Sequence, residues 1–234
     1  MFELAINFLV FLVGIVAAKF IRRFQFLANV FNRFRPYEIQ QTNYWHSKVK
    51  LWDELPTNAK VVMFGDSITE GVDWNEILQD NIIVNRGISG DTTSGLLKRI
   101  HQVIAISPSI VFIMIGVNDF GCRVNVEIVF DNYKKIIEIL RGEGIVVVVQ
   151  STIYSSEKYK VVNNNIRNLN AKLAEFCQSS NIKYLNLNSV LASNKGLKDI
   201  YTYDGIHLSA AGYLVWKDII NVTLVDLSGL DAQE

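Results

Sequence analysis

Four short clusters carry the residue types that serine acyl transfer needs. They are Gly65-Asp66-Ser67, Asn85-Arg86-Gly87-Ile88-Ser89-Gly90-Asp91, Gly116-Val117-Asn118-Asp119 and Asp204-Gly205-Ile206-His207. A serine hydroxyl becomes a nucleophile when a base takes its proton and a third group orients the base. Backbone N–H groups and an amide must then face the developing oxyanion. The clusters together hold a serine, a histidine, an aspartate, an asparagine and several glycines. Taken singly, each has an ordinary reading. Asp66 or Ser67 can cap a helix, and Asp91 with Thr92 and Thr93 can cap the next one. Asp66 and Asp119 fit a loop-tying role as acceptors of backbone N–H groups. His46 and His101 stand in helical stretches without an evident acidic partner and read as surface or packing residues.

The elements between the clusters decide whether they can meet. Val61 to Phe64 is a short apolar run that ends on a turn signal, which reads as a buried strand. With it, the expected strands are 60–65, 81–85, 109–115, 144–150 and 182–187. Helices are expected over 74–80, 93–106, 125–142, 160–180 and 209–226. Ile110 to Ile115 and Ile145 to Val149 lack polar alternation, as strands covered on both faces do. This alternation predicts an α/β fold, a three-layer α/β/α sandwich around a five-stranded parallel sheet with right-handed crossovers. In such a sheet the clusters that follow strands gather at one edge, where open α/β sheets bind ligands. The segment 152–156, after the fourth strand, can line the same edge.

Composition narrows the classes. The 234 residues include 23 basic and 23 acidic side chains, so the zero net charge gives no footprint for a nucleic-acid partner. Cys122 and Cys177 are far apart and lack metal-ligand spacing. From residue 60 the chain is long enough for one domain with a substantial core, expected over 60–228.

The first 35 residues differ in character. Residues 4–18 are apolar except for Asn7 and Gly14. As a helix they would span about 22 Å, short of the roughly 30 Å hydrocarbon core. Lys19, Arg22, Arg23, Arg33 and Arg35 follow the run, interleaved with phenylalanines. An uncleaved membrane anchor or an amphipathic surface helix is expected here, with the basic side and the catalytic domain in the cytoplasm. The alternatives are export with the domain outside, and a helix that packs in a homodimer. Residues 36–59 read as a helical lead-in.

The four clusters, in this order, resemble the SGNH hydrolases, the GDSL-type esterases and lipases, over about residues 60–215. Gly65-Asp66-Ser67 is similar to the family's first block, with Ile68 where many members have leucine. Gly87 fits the second block, Gly116-Val117-Asn118-Asp119 the third and Asp204-Gly205-Ile206-His207 the last. The resemblance implies a flavodoxin-like sheet and a cofactor-free, metal-free hydrolase acting on a small-molecule carbohydrate or lipid ester. It implies Ser67 as nucleophile, His207 as base and Asp204 as its orienting carboxylate. The oxyanion hole it implies is made of the N–H groups of Ser67 and Gly87 and the side-chain amide of Asn118. The nearest members are short ones similar to platelet-activating-factor acetylhydrolase subunits and carbohydrate O-acetylesterases. An acyltransferase using the same acyl-enzyme, or a catalytically silent membrane-tethered binding protein, are the rival expectations. The Gly-x-Ser-x-Gly elbow of the α/β-hydrolases is absent.

Overall fold

The structure, a computed structural model, describes residues 40, 42–55, 57–79 and 83–231. The strands are β1 (Val61–Gly65), β2 (Ile83–Gly87), β3 (Ile110–Met114), β4 (Val146–Gln150) and β5 (Lys183–Leu185). They form one parallel sheet in the order β2-β1-β3-β4-β5. All five residues of β1 are buried. Successive strand side chains point to opposite faces, so both faces of the sheet are covered.

The helices fall into two packed groups. In one, α4 (Thr93–Ile106), α6 (Val126–Gly142) and α7 (Asn163–Ser179) contact one another in turn, and α1 (Asn43–Glu54) lies against α4. In the other, α9 (Ala210–Asp231) contacts α3 (Trp74–Leu78) and α8 (Asn188–Leu191). Two further short helices, α2 (Ser67–Glu70) and α5 (Val117–Gly121), start where β1 and β3 end. Trp216 of α9 packs edge-on against Trp74 and donates its indole N–H to Gln150 Oε1 at 2.6 Å, tying the helix to the end of β4.

The strand order places a topological switch at β1, since the chain leaves it for β2 on one side and returns to β3 on the other. Ligands of open α/β sheets bind outside the carboxyl ends of strands at such a point. Ser67 and Asn118 lie there, at the starts of α2 and α5.

Several boundaries differ from the sequence expectation. β2 pairs Val61 with Ile83 and Gly65 with Gly87, so it runs two residues past Asn85. Asn85 and Arg86 belong to the strand because their polar groups are satisfied in place. Asn85 Nδ2 donates to the carbonyls of Thr69 (2.9 Å) and Val72 (3.0 Å), and the Arg86 guanidinium lies 4.8 Å from the Trp52 ring. The stretch expected as one helix over 160–180 is a 3₁₀ segment, Glu157–Val162, followed by α7. A two-residue hairpin, β6 (Ala192–Ser193) with β7 (Gly196–Leu197), was not expected. The last helix extends to Asp231, beyond the expected domain end at 228. The anchor or amphipathic helix expected over 1–35 lies outside the described residues. Among the described residues no helix is long and apolar enough to cross a membrane.

Candidate active site

Ser67 is the first residue of α2. Asp66 caps that helix, its Oδ1 accepting the Ile68 N–H at 3.0 Å. A serine at this position leaves its own N–H without an intrahelical partner, as at any helix start. His207 comes from the loop before α9, 140 positions away, and its Nε2 lies 2.9 Å from Ser67 Oγ. His207 Nδ1 lies 2.6 Å from Asp204 Oδ2.

The loop holds Asp204 by its other oxygen. Asp204 Oδ1 accepts the N–H groups of Ile206 and His207, both at 2.8 Å. Thr202 Oγ1 accepts the Gly205 N–H at 2.8 Å and donates to the His207 carbonyl at 2.6 Å. Tyr203 stacks beside the His207 ring, 5.9 Å between centroids and 13° between planes. Partial burial works to raise the Asp204 carboxyl, but the His207 ring and the two backbone N–H groups win and hold it below the usual carboxylate range. An ionised carboxylate only accepts hydrogen bonds, so the Nδ1–H of His207 donates to Asp204 and Nε2 presents its lone pair to Ser67. The side chains of Asp204 and His207 remain 40% and 31% exposed, so water reaches the site.

The structure brings Asn118 to the second cluster. Its Nδ2 donates to the Asp91 carbonyl at 2.9 Å, leaving one amide hydrogen of that group for a ligand. Gly87 does not fit the role expected of it. Its N–H already donates to Asn85 Oδ1 at 2.8 Å. A Cβ on Gly87 would stand 2.4 Å from Glu70 N and 2.8 Å from Asp66 O, so its missing side chain serves close packing against α2. The backbone beside Asn118 is instead the turn Ile88–Asp91, where Gly90 adopts φ +78°.

Other residues also depart from expectation. Of the three residues expected to cap α4, Thr92 does so with its hydroxyl. Asp91 is a fully buried ion-pair partner, 2.8 Å from Arg99 Nε. His101 does have an acidic neighbour, Asp53, at 3.0 Å. Asp119 ties α5 to α4 through the Thr93 N–H and hydroxyl, as its loop-tying reading anticipated. Sequence reasoning gave Arg99 and Glu70 no role. A usable signal for Arg99 was its place on the apolar face of α4 with Leu96, Ile100 and Val103. Among the described residues no group of three or more His, Cys, Asp or Glu side chains could hold a metal ion.

Asp66 carries a testable pH signature. Burial pushes its carboxyl up to about 7, with the Ile68 N–H opposing and Asp91 and Asp119 adding repulsion. Its Oδ2 is buried without a hydrogen-bond partner among the described residues. Between about pH 4 and pH 7 the folded chain therefore keeps a proton that the unfolded chain releases, and stability falls as pH rises through that window. Asp66→Asn removes this titration. Urea unfolding at pH 4.5 and 7.5 should show a smaller decline in the variant, by on the order of a few kcal/mol. An identical decline in both proteins would mean that Asp66 titrates as an ordinary surface aspartate.

Known proteins share this arrangement of elements. A model of the GDSL-like Lipase/Acylhydrolase family matches residues 63–215. An acylhydrolase structure from Bacteroides fragilis superposes with a TM-score of 0.71 at 27% identity, covering 80% of this chain and 99% of that one. An arylesterase of Vibrio mimicus is 26% identical over 165 residues, covering 64% of this chain and 80% of that protein. An N-acylneuraminate cytidylyltransferase of Streptococcus agalactiae serotype III is 27% identical over 151 residues, 64% of this chain. The chain spans only 35% of the length of that relative. The family match covers well over half of the chain and contains Ser67, Asn118, Asp204 and His207, and the chain belongs to the GDSL-like lipase/acylhydrolase family, the SGNH hydrolases.

Proposed function

We propose that the protein is a serine esterase that hydrolyses carboxylic esters of short acyl groups, O-acetylated carbohydrates foremost, through an acyl-enzyme on Ser67. The observation that carries the reading is the continuous hydrogen-bonded chain Ser67–His207–Asp204, assembled from opposite ends of the domain. Ser67 Oγ attacks the ester carbonyl carbon while its proton passes to His207 Nε2. Asp204 stays ionised and stabilises the imidazolium. The carbonyl oxygen, now an oxyanion, is met by the Ser67 N–H, the remaining amide hydrogen of Asn118 and the N–H of Gly90 in the adjoining turn. Collapse breaks the ester C–O bond, and the alcohol leaves with the proton from His207. Water then attacks the acyl-enzyme by the same route in reverse roles, releasing the acid and restoring Ser67.

Two observations support hydrolysis over transfer and over a silent binding role. The exposure of Asp204 and His207 admits water, which an acyltransferase must keep out. The intact hydrogen-bonded chain is what a protein without catalysis has no need to retain. The carbohydrate preference is supported by the likeness to a relative whose name includes a sugar acid, N-acylneuraminate. The N-terminal 35 residues supply the attachment part of the proposal, a hold on the membrane that leaves the domain on the cytoplasmic side; the full chain should pellet with membranes and resist protease added to intact spheroplasts. The substrate claim is tested on p-nitrophenyl esters and an O-acetylated sugar. Acetate should be cleaved faster than dodecanoate, with acetate released from the sugar. A preference for the long chain would move the assignment to lipid esters.

A further inference from the structure

We propose that α1, which precedes the segment matching the family, acts as a clamp on the turn Ile88–Asp91, and that Glu70 is the positioning residue through which it acts. The inference rests on the proposed function, in which that turn and Asn118 face the oxyanion.

The clamp has three points of attachment. Trp45 of α1, only 5% exposed, packs on fully buried Ile88 in a small apolar cluster of their own, with Val49 and Trp52 at its margin. At the amino-terminal side of α1, Gln40 Nε2 donates to Asp91 Oδ1 and to Thr92 Oγ1, each at 2.9 Å. The third point is Glu70. Its Oε2 accepts the Ser89 N–H at 2.7 Å, and its Oε1 takes Lys48 Nζ at 2.8 Å and the Tyr44 hydroxyl.

Glu70 stands three residues after Ser67 on α2. One carboxylate thus joins the helix of the nucleophile, the oxyanion turn and α1. On the far side, Asp91 is fixed by Arg99, whose Nη2 donates to the Gly65 carbonyl at 3.0 Å, at the end of β1. The turn is therefore held from both flanks, and the Glu70 side is the one that involves a partly exposed group.

An ordinary explanation is that Glu70 and Lys48 form a surface ion pair, with side chains 20% and 32% exposed. Such a pair contributes about 1 kcal/mol or less to stability and nothing to chemistry. The bond from the Ser89 N–H separates the two accounts. It is charge-assisted, and it fixes the Ile88–Ser89 peptide, one before the peptide that carries the Gly90 N–H. A misplacement of about 1 Å near a reacting centre can cost on the order of 100-fold in rate. Loss of the Glu70 carboxylate would leave Ser67, His207 and Asp204 untouched while releasing the Ser89 N–H, the attachment of the turn that comes from α2.

The test uses the full chain with Glu70→Ala and Glu70→Gln. The readouts are kcat and KM for p-nitrophenyl acetate, the inhibition constant of a trifluoromethyl ketone, and the thermal midpoint. The ketone adduct carries the oxyanion, so it reports the turn directly. Glu70→Ala should lower kcat about 10- to 100-fold with KM nearly unchanged, and weaken the ketone by the same factor. Glu70→Gln should recover much of the loss, because its amide oxygen still accepts the Ser89 N–H. An unchanged kcat in Glu70→Ala would overturn the inference. So would a kcat loss that tracks a fall in thermal midpoint, spares the ketone and is not rescued by glutamine. A wild-type protein that neither cleaves the ester nor binds the ketone would instead strike the proposed function, and this inference with it.

Discussion

Ser67→Ala is expected to lower ester turnover by about 10⁴- to 10⁶-fold while leaving the fold and substrate affinity nearly intact. The size follows from the assembly acting as a unit. Without Oγ there is no group for His207 to deprotonate and no acyl-enzyme, and only binding and the oxyanion donors remain. The fold should tolerate the change because the helix is capped by Asp66 and not by Ser67. The hydroxyl is hydrogen-bonded to His207. Steady-state kinetics with p-nitrophenyl acetate and a thermal melt check both halves. Activity within tenfold of wild type would remove Ser67 from the chemistry.

Asp204→Asn is expected to be nearly as damaging, at about 10³- to 10⁴-fold in kcat, and the geometry says why. Asp204 Oδ1 accepts two backbone N–H groups, from Ile206 and His207. In the asparagine variant the amide oxygen must occupy that place, since an NH₂ group cannot accept them. The NH₂ group then falls where Oδ2 stood, facing His207 Nδ1. Nδ1 is forced to accept, so the ring proton moves to Nε2 and points at Ser67 Oγ. The base has lost its lone pair while the loop keeps its shape. KM should change little and the melt should match wild type. A kcat within a factor of ten would mean that Ser67 and His207 work as a dyad.

Much of this was legible in the sequence, and the exceptions share a cause. β1, β3 and β4 are apolar runs because both sheet faces are covered, and their burial matches the lack of alternation. The four clusters stood out by following strands or preceding the last helix, and the roles of Ser67, Asp204 and His207 came from the family resemblance. What stayed hidden depended on partners distant in the chain. Asn85 reads as loop until the carbonyls of Thr69 and Val72 are seen to accept its amide. Gly87 resembles an oxyanion donor until Asn85 is seen to occupy its N–H. Asp91 looks like a cap until Arg99, eight residues on, is seen to reach back to it inside the core. Asp53 and His101 are 48 positions apart and meet only because α1 lies on α4. The hairpin β6–β7 is too short for periodicity to register.

The central claim is that Ser67 forms a covalent intermediate, and one measurement addresses it without reference to any substrate. Incubate the full chain with a fluorophosphonate, digest it and locate the adduct by mass spectrometry. A single phosphonylated peptide spanning Phe64 to Gly71, modified at Ser67, is expected, with labelling slowed in Asp204→Asn and abolished in Ser67→Ala. An adduct on any other residue, or labelling that persists in Ser67→Ala, would contradict it.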